Sequence, residues 1–473
     1  MPPDMLYIST RGEAKPKSFT EILLEGLASD GGLYVPEIYP QFSSAELLAM
    51  RGMDYRKLAV TILSKFMDDI PGDVLRKMIN ETYTKEVFGS DDITPLKKLE
   101  PDFFILGLAE GPTLAFKDIA LQFIGRLFEY ALEKAGHELN ILGATSGDTG
   151  SAAEVAMRGR SAIRVFMLSP YGRMSDFQRK QMYTIHDANI FNISIKGTFD
   201  DCQDIVKKLN EDAEFKKRFN IGAVNSINWA RIAVQTVYYF YGYFRATNSN
   251  TEQVSFSIPT GNFGNILAGF IARKMGLPIR RLILATNENN VLEEFFRTGI
   301  YRPRKGAEVA VTSSPSMDIS KASNFERYIF ELSGRKPNRV KQLWADLVSK
   351  DFFDISGSED FSNIKDTGIV ADSSSHKDRI ATIKHVYEKY SVLIDPHTAD
   401  GAKVALSYRE AGVPLLCMET ALPAKFAETI REAIGKDPAY PENKPIPEDL
   451  DEKFEIMKAD EEEVKKFIAS RAD

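Results

Sequence analysis

The sequence predicts an α/β fold in which two parallel-sheet lobes follow a mostly helical N-terminal domain. Apolar strands, polar turns and helices alternate twice along the chain, first from Leu139 and again from Val254. A strand, a turn, a helix and a second strand within about 30 residues form a βαβ unit, which makes the two strands parallel. Two such runs indicate two α/β lobes. Before residue 96 the apolar spacing is instead that of short helices.

Changes in the predicted pattern of helices and strands along the chain indicate three segments. Residues 1–95 form the N-terminal domain, residues 96–230 a smaller lobe that carries Lys117, and residues 231–473 a larger lobe. A strand over 392–395 is expected in the larger lobe. Four prolines after residue 437 then predict a rigid connector to an acidic terminal helix that covers this lobe.

Composition and charge argue against several classes of function. Of the 473 residues, 43% are hydrophobic and 27% are charged, an ordinary balance for a globular protein. The net charge of -7, without dense basic runs, argues against nucleic acid and anionic membranes as partners. The two cysteines, Cys202 and Cys417, exclude a disulfide framework and suit a reducing compartment. Since the first residues show no targeting pattern, a cytoplasmic location is expected.

Lys117 lies just before a predicted helix. Apolar residues recur at steps of three and four over 119–135, and Gly136 then ends the helix. The start of a helix carries partial positive charge, so an ammonium group is disfavoured there. The apolar residues 114–116 add desolvation, which lowers a lysine pKa. Such a lysine suits Schiff-base chemistry, although a surface lysine beside Asp118 would fit the same pattern.

Three polar turns follow predicted strands, at residues 145–150, 260–265 and 419–423. Ligands of open α/β sheets bind beyond the carboxyl ends of the strands, so chemistry is expected at these turns. The second turn opens a helix, and its glycines and N–H groups can cradle a phosphate. The first turn also precedes a helix and offers donors to a carboxylate. Alternatively, the second turn is an ordinary βα turn and the first is an N-cap cluster.

Other types of site lack their sequence patterns. A Walker loop would need Gly-Lys-Ser/Thr after the glycines, and the dinucleotide-binding fingerprint is incomplete. The five histidines do not have metal-ligand spacing, so no metal site is predicted. The nucleophile elbow of a Ser-His-Asp hydrolase is missing as well.

Several motifs together resemble those of threonine synthases of the longer yeast and bacterial type. The resemblance runs in order along nearly the whole chain, and the motifs are far more specific together than singly. Supporting stretches lie at residues 7–12, 30–36, 395–401 and 419–426. The central motifs are Ala115-Phe116-Lys117-Asp118, Ser146-Gly147-Asp148-Thr149-Gly150 and Gly261-Asn262-Phe263-Gly264-Asn265.

The resemblance implies the pyridoxal-phosphate (PLP) fold of the tryptophan synthase β-subunit type, fold type II. Lys117 is then the catalytic lysine that forms a Schiff base with the cofactor. Thr420 is expected at the pyridine nitrogen. A hydroxyl there does not favour a fully protonated ring, so the electron sink is weaker and suits elimination and replacement over transamination. The cofactor phosphate is expected on Gly261, Asn262, Phe263, Gly264 and Asn265.

The reaction implied by the resemblance converts O-phospho-L-homoserine and water to L-threonine and phosphate. Asp148 stands where many relatives carry an Asn that meets the cofactor's 3′-oxygen, although many long-chain threonine synthases also carry Asp. The donor to that oxygen is therefore not assigned. The substrate carboxylate is expected on Thr145, Ser146, Asp148 and Thr149. The segment near the substrate phosphate contains Ser316, Asp318, Asn324 and Arg327.

Two other functions fit parts of the pattern. The first is another fold type II enzyme, such as a threonine dehydratase or a cysteine synthase, but the long N-terminal unit and residues 111–116 weigh against it. The second is a non-catalytic paralogue that binds a phosphometabolite, and the retained Lys117 weighs against that. The expected partner is the small-molecule substrate, and the expected assembly is a monomer or a weak homodimer.

Overall fold

A computed structural model of the chain describes residues 4–145, 147–222, 226–441 and 450–472. In those ranges, no helix is long and apolar enough to span a bilayer. Up to residue 107 the elements are β1 (Tyr7–Ser9), α1 (Phe19–Glu25), β2 (Tyr34–Pro36), α2 (Ser44–Met50), α3 (Tyr55–Leu63), α4 (Gly72–Thr82), α5 (Lys85–Phe88), β3 (Leu96–Glu100) and β4 (Phe103–Gly107).

The middle of the chain alternates strands and helices as the sequence predicts. Its elements are α6 (Lys117–Ala135), β5 (Leu139–Ala144), α7 (Asp148–Met157), β6 (Ile163–Pro170), α8 (Asp176–Tyr183), β7 (Ile190–Lys196), α9 (Phe199–Glu211), α10 (Ala213–Arg218), β8 (Ile221–Gly222), α11 (Trp229–Ala246) and β9 (Val254–Pro259).

The remaining elements complete the larger lobe and end on the smaller one. They are α12 (Gly264–Lys274), β10 (Ile279–Thr286), α13 (Val291–Thr298), β11 (Ile300–Tyr301), α14 (Phe325–Leu332), α15 (Pro337–Lys350), β12 (Phe353–Asp354), α16 (Glu359–Asn363), β13 (Ile369–Ser373), α17 (His376–Tyr390), α18 (Pro396–Ser407), β14 (Leu415–Glu419), α19 (Ala427–Ile434), β15 (Glu455–Lys458) and α20 (Glu461–Ala472). Short 3₁₀ helices span Gly306–Glu308, Pro315–Met317, Ile364–Thr367 and Pro423–Phe426.

The larger lobe is built on a sheet with the strand order β13-β10-β9-β14-β4-β3. Neighbouring strands are parallel, except that β3 runs antiparallel to β4. Residues 96–107 therefore belong to this sheet, whereas the sequence-based division places them in the smaller lobe. The physical reason is that β4 is buried along its whole length and pairs in register with β14, Phe103 opposite Leu415 and Gly107 opposite Glu419.

The smaller lobe is a parallel sheet with the strand order β15-β7-β6-β5-β8. Its edge strand β15 comes from the C-terminal segment, which the sequence-based division assigns to the larger lobe. The helix that follows, α20, buries Val464 and Ile468 in one apolar cluster with Ile193 and Ile195 of β7. Burial of these four side chains is what brings the end of the chain back to the smaller lobe. Most of the proline-rich connector, residues 442–449, lies outside the described ranges.

The N-terminal region packs on the larger lobe around Trp229, the first residue of α11. The rings of Tyr7 and Phe66 each lie 6.0 Å from that of Trp229, and all three side chains are buried. The buried carboxylate of Glu326 in α14 accepts a hydrogen bond of 2.6 Å from the Thr10 hydroxyl. This region is thus part of the core that supports α11 and α14.

The predicted fold class is confirmed, and the helix predicted over 119–135 is present within α6. Helix α6 ends at Gly136, which has the left-handed φ of 70° expected of a helix stop. The sequence predicts a helix over 151–158, and α7 begins at Asp148, three residues earlier. The strand predicted over 392–395 is wrong. Its last residue, Asp395, instead caps α18 by accepting hydrogen bonds from two backbone N–H groups.

Substitution of Gly269 by Ala is expected to lower the thermal midpoint of the protein. Gly269 lies in α12, and an added Cβ would sit 2.6 Å from the ring of Tyr239 and 2.8 Å from Leu282. Both neighbours are fully buried, so they cannot move aside cheaply. We expect a loss of about 1–3 kcal/mol, measured by thermal and chemical denaturation.

The matched control is Gly72→Ala at the first position of α4, where an added Cβ meets nothing within 4 Å. This variant should be as stable as the parent or slightly more stable, because Ala favours a helix over Gly. Equal stability of the two variants would contradict the tight packing of α11 on α12.

Candidate active site

The candidate site lies where the starts of helices meet strand ends of the larger sheet. Thr260 and Thr420 follow β9 and β14, which are parallel neighbours, so both residues lie at the same edge of the sheet. The backbone N–H of Phe116 donates to the carbonyl oxygen of Thr420 at 2.9 Å. Lys117, the next residue, is thereby brought to the end of β14.

Lys117 is the first residue of α6, and its side chain is only 14% exposed. Burial lowers the pKa of its ammonium group to about 8. The carboxylate of Asp148, 3.8 Å from Nζ, opposes this shift, whereas the positive charges of Lys425 and Arg231 add to it. An appreciable fraction of Lys117 is therefore the free amine near neutral pH, as Schiff-base chemistry requires. Its burial excludes the alternative of a surface lysine.

The turn that leads into Lys117 is fixed by Asp118. Its carboxylate accepts hydrogen bonds from the backbone N–H of Thr113 at 2.7 Å and from the Thr113 hydroxyl at 2.9 Å. A Cβ on Gly111 would lie 2.2 Å from the Cβ of Asp118, so glycine leaves the room that this carboxylate occupies. Leu114 has a φ of 57°, which is uncommon for a residue with a side chain. The closed turn holds the backbone of Lys117 in one position.

Asp148 is at the centre of the polar contacts in the site. One of its carboxylate oxygens lies 2.7 Å from Nζ of Lys425, and the other accepts a hydrogen bond of 2.8 Å from the Ser316 hydroxyl. The side-chain amide of Gln178 donates to the oxygen that faces Lys425, at 3.3 Å. Burial alone would raise the pKa of Asp148, but the ammonium groups of Lys425 and Lys117 hold it well below its usual range. Asp148 is therefore an ionised carboxylate that joins α7 to the larger lobe.

The polar residues on either side of Gly147 in the 145–150 turn differ in their surroundings. The hydroxyl oxygen of Thr145 accepts hydrogen bonds from the N–H groups of Gly147 and Gly150 at 3.0 and 2.9 Å, so it closes the turn from inside. Thr149 is half-buried in the first turn of α7. Ser146 lies outside the described residues. A helix start of this kind favours a bound anion.

The glycine-rich turn has the backbone shape of an anion cradle. Phe263 has a left-handed φ of 64°, and α12 begins at the next residue, Gly264. A Cβ on Gly261 would lie 3.1 Å from the side chain of Ile319, so the backbones of the two loops approach closely here. The ring of Phe263 is buried 5.3 Å from that of Phe325. Phe263 therefore adds its backbone to the turn and its side chain to the core.

The two asparagines of this turn are held by different partners. The side-chain oxygen of Asn262 accepts a hydrogen bond of 3.1 Å from the Ser323 hydroxyl. The side-chain oxygen of Asn265 accepts hydrogen bonds from the hydroxyls of Tyr238 and Tyr239, at 2.7 and 2.9 Å. The buried amide nitrogen of Asn265 has no partner among the described residues. A phosphate oxygen would satisfy such a donor.

Arg231 is a site residue that the sequence interpretation missed. It lies in the first turn of α11 and is buried, and its Nη1 atom has no partner in the described part of the chain. Burial lowers the pKa of its guanidinium group to about 10. A buried cation without a counter-ion is costly, so the position favours a bound anion. The available signal was a single charge within the otherwise uncharged, apolar run 229–244.

The loop that contains Ser316 and Asp318 is anchored to the larger lobe. The carboxylate of Asp318 accepts hydrogen bonds from the side-chain amides of Asn287 and Asn289, at 2.8 and 3.0 Å. The backbone N–H of Ser316 donates to Nε2 of His397 at 3.1 Å. Since Nε2 is the acceptor, the ring proton is on Nδ1, which lies 2.8 Å from a carboxylate oxygen of Asp395. These contacts fix the Ser316 hydroxyl against Asp148.

Asn324 and Arg327 lie deeper than the other predicted substrate residues. The guanidinium group of Arg327 donates to the carbonyl oxygens of Tyr34 and Ile227, at 2.9 and 2.6 Å, and to the side-chain oxygen of Asn324 at 2.6 Å. The amide of Asn324 donates in turn to the carbonyl oxygen of Asn262 at 3.3 Å. Burial lowers the pKa of Arg327 to about 9. Both side chains thus support the glycine-rich turn from behind.

Comparisons with known proteins agree with this geometry. The family model for PLP-dependent enzymes matches residues 93–413, and the models for the threonine synthase N terminus and C-terminal part match residues 6–83 and 398–468. Threonine synthases from Methylobacillus glycogenes and Corynebacterium glutamicum are 57% and 53% identical over 98% of this chain and 99% and 98% of their own lengths. The crystal structure of PLP-bound threonine synthase from Brucella melitensis superposes with a TM-score of 0.94 at 40% identity, covering 99% of this chain and all of the other.

The fold and the site define a PLP-dependent enzyme of fold type II. The unpaired donor of Asn265 and the glycine-rich turn fit a phosphate-bearing cofactor, and Lys117 fits its Schiff-base attachment. The chain belongs to the threonine synthase family. It is accordingly a PLP-dependent lyase of amino-acid biosynthesis, the family to which the sequence motifs pointed.

Reduction of the purified enzyme with borohydride is expected to attach the cofactor to Lys117 alone. Burial lowers the pKa of its ammonium group to about 8, so the free amine that the attachment requires is available. Peptide mapping after reduction should find the label on the peptide that contains Lys117. Lys117→Ala should remove both the label and the visible absorption. Lys134→Ala, in the last turn of the same helix, should change neither.

Proposed function

We propose that the chain converts O-phospho-L-homoserine and water to L-threonine and phosphate. The observation that supports this substrate is the presence, in one site, of a mostly buried lysine with a lowered pKa and a buried guanidinium group whose Nη1 atom has no partner among the described residues. The first supplies an amine for proton transfer. The second calls for an anion in addition to the one that the glycine-rich turn accommodates.

The cofactor residues in this proposal are those of the end of β14 and the start of α12. Gly261, Asn262, Phe263, Gly264 and Asn265 hold the phosphate through backbone N–H groups and the free amide of Asn265. Thr420 places its hydroxyl at the pyridine nitrogen. When bound, the cofactor supplies the electron sink for negative charge that develops on the substrate carbons.

Lys117 carries protons to and from the substrate in this proposal. Its Nζ atom takes one proton from Cα and one from Cβ while the phosphate departs from Cγ. The proton from Cβ is returned at Cγ, which becomes the methyl group, and the proton from Cα is returned at Cα. Water adds its hydroxyl at Cβ, and its other hydrogen balances the released phosphate. The lowered pKa of Lys117 keeps the amine available near neutral pH, and a lysine with an ordinary pKa would stay protonated. The closed turn around Asp118 holds this amine in position between transfers.

The substrate carboxylate is proposed to bind at the start of α7. The proposed donors there are the backbone N–H groups of Asp148 and Thr149 and the hydroxyl of Thr149, together with Ser146, which lies outside the described residues. Thr145 acts by closing the turn, because its hydroxyl oxygen already accepts from Gly147 and Gly150. Asp148 contributes a fixed negative charge instead of a donor, since it is ionised.

The phosphate of the substrate is proposed to pair with Arg231. Ser316, Asp318, Asn324 and Arg327, which the family resemblance places near this phosphate, then position the loops around it. Their contacts support this role, because Asp318 and Arg327 are already bound to groups of the protein itself.

We further propose that the protein is cytoplasmic, has no nucleic-acid partners and is a monomer or a weak homodimer. Size-exclusion chromatography of the pure enzyme would test the assembly state.

The activity test compares two substrates with the same enzyme preparation. Phosphate release from O-phospho-L-homoserine, with threonine as the co-product, is the expected result. Formation of a keto acid from threonine without phosphate release would instead assign a dehydratase. Lys117→Ala should abolish turnover in the first assay, and a protein that binds the substrate without turnover would be a non-catalytic paralogue.

Substitution of Arg231 by Met is expected to impair catalysis without destabilising the protein. Loss of the charge partner of the substrate phosphate should reduce kcat/KM roughly 30-fold or more, which corresponds to about 2 kcal/mol of transition-state stabilisation. The thermal midpoint without substrate should stay the same or rise, because the variant lacks a buried unpaired charge. Steady-state kinetics and thermal unfolding measure the two effects.

Arg327→Met is the matched control, since Arg327 is equally buried but has all its described contacts within the protein. Its thermal midpoint should fall, because several buried acceptors lose their donors. If Arg231→Met loses stability as Arg327→Met does, Arg231 is a structural residue.

A further inference from the structure

A second buried lysine, Lys425, lies beside Lys117. It belongs to the 3₁₀ helix that follows β14, and its side chain is 0% exposed. Its Nζ atom lies 2.7 Å from a carboxylate oxygen of Asp148 and donates to the carbonyl oxygen of Thr113 at 2.9 Å. The same nitrogen stands 5.7 Å from the centre of the Phe177 ring. None of the sequence motifs assigned a role to this residue.

The surroundings of Lys425 are otherwise apolar. Leu114, Phe177 and Ala424 form a small buried cluster around it, with Leu422 packed against them. An ammonium group in such a place needs an ionised partner, because burial of an isolated charge is far costlier than burial of a pair. Asp148 is that partner. Two buried lysines therefore share one carboxylate, with Lys425 on one oxygen and Lys117 on the other.

We propose that Lys425 is a positioning residue that balances the charge of Asp148 and so leaves the nitrogen of Lys117 free of its proton for chemistry. With Lys425 in place, the pair of Lys425 and Asp148 is neutral as a whole, and the site does not require a third charge. Without Lys425, the carboxylate would have to be balanced by the protonated form of Lys117, which has no lone pair to react.

The geometry makes this role specific to Lys425. Lys425 lies 1.1 Å closer to Asp148 than Lys117 does, from the 2.7 and 3.8 Å separations, so it forms the direct pair. Lys425 also lowers the pKa of Lys117, in the direction that the proposal requires. The other charged groups that act on Lys117 are Arg231 and Asp118, and Asp118 is bound to both donors of Thr113.

A charge-cancellation experiment on the holoenzyme tests the proposal. The pH dependence of the visible absorption reports protonation of the Lys117 nitrogen attached to the cofactor. Asp148→Asn should lower the pKa of this transition by about one unit or more, because Lys425 is then an uncompensated positive charge. Lys425→Met should raise it, because Asp148 is then an uncompensated negative charge.

The double variant Asp148→Asn with Lys425→Met should return the transition towards its position in the parent. It contains no buried unpaired charge at this pair, so it is expected to fold even where Lys425→Met alone does not. Comparison of the double variant with Asp148→Asn then isolates Lys425, whose removal should raise the pKa. Shifts of the same sign in both single variants, or titration curves that superimpose throughout, would overturn the proposal.

Lys274→Met serves as the control for loss of an ion pair as such. Nζ of Lys274 lies 2.7 Å from a carboxylate oxygen of the buried Glu331, although the Lys274 side chain itself is exposed, and Lys274 is the last residue of α12. The opposite end of that helix carries the glycine-rich turn, about 15 Å away at 1.5 Å per residue. This variant should lose thermal stability without any shift of the absorption transition. A shift equal to that of Lys425→Met would show that the effect comes from general loosening.

Discussion

The structure depends on keeping one carboxylate, that of Asp148, ionised in a buried position between the lobes. Its partners come from separate parts of the chain, with Gln178 in the smaller lobe and Ser316 and Lys425 in the larger one. An ionised group left unpaired in such a place would cost several kcal/mol. The contacts that satisfy Asp148 therefore also fix how the first turn of α7 faces Lys117. The chemistry and the arrangement of the lobes rest on the same ion pairs.

The glycine-rich turn is supported by a second set of buried charges behind it. Arg327 joins the carbonyl oxygen of Tyr34, in the N-terminal region, to Asn324, which in turn contacts Asn262. Glu326, the residue before Arg327, is tied to the N-terminal region through Thr10. The N-terminal domain thus supports the turn that is proposed to hold a phosphate. This accounts physically for a long helical unit in front of a two-lobed fold.

The sequence predicted those parts of the structure that depend on residues close together in the chain. The helix after Lys117 and the turn at 261–265 were predicted because their strand, turn and helix signals are contiguous in the chain. Arg231 and Lys425 were missed because their roles depend on burial and on partners far away in sequence, such as the contact between Lys425 and Asp148. Strands β4 and β15 were assigned to the wrong lobes for the same reason, since strand pairing is not encoded within a strand.

The balance of charge in the site favours a substrate that carries an anionic group, as the proposed substrate does. Lys117, Lys425 and Arg231 bring three basic groups to the site, whereas Asp148 is an ionised carboxylate that contacts the two lysines. Lys425 neutralises Asp148, and the lowered pKa of Lys117 leaves that amine largely uncharged as pH rises above about 8. The remaining positive charge is that of Arg231, which keeps its proton up to a pKa of about 10. An anionic group on the substrate completes this balance, whereas a neutral side chain would leave the guanidinium group buried and unpaired.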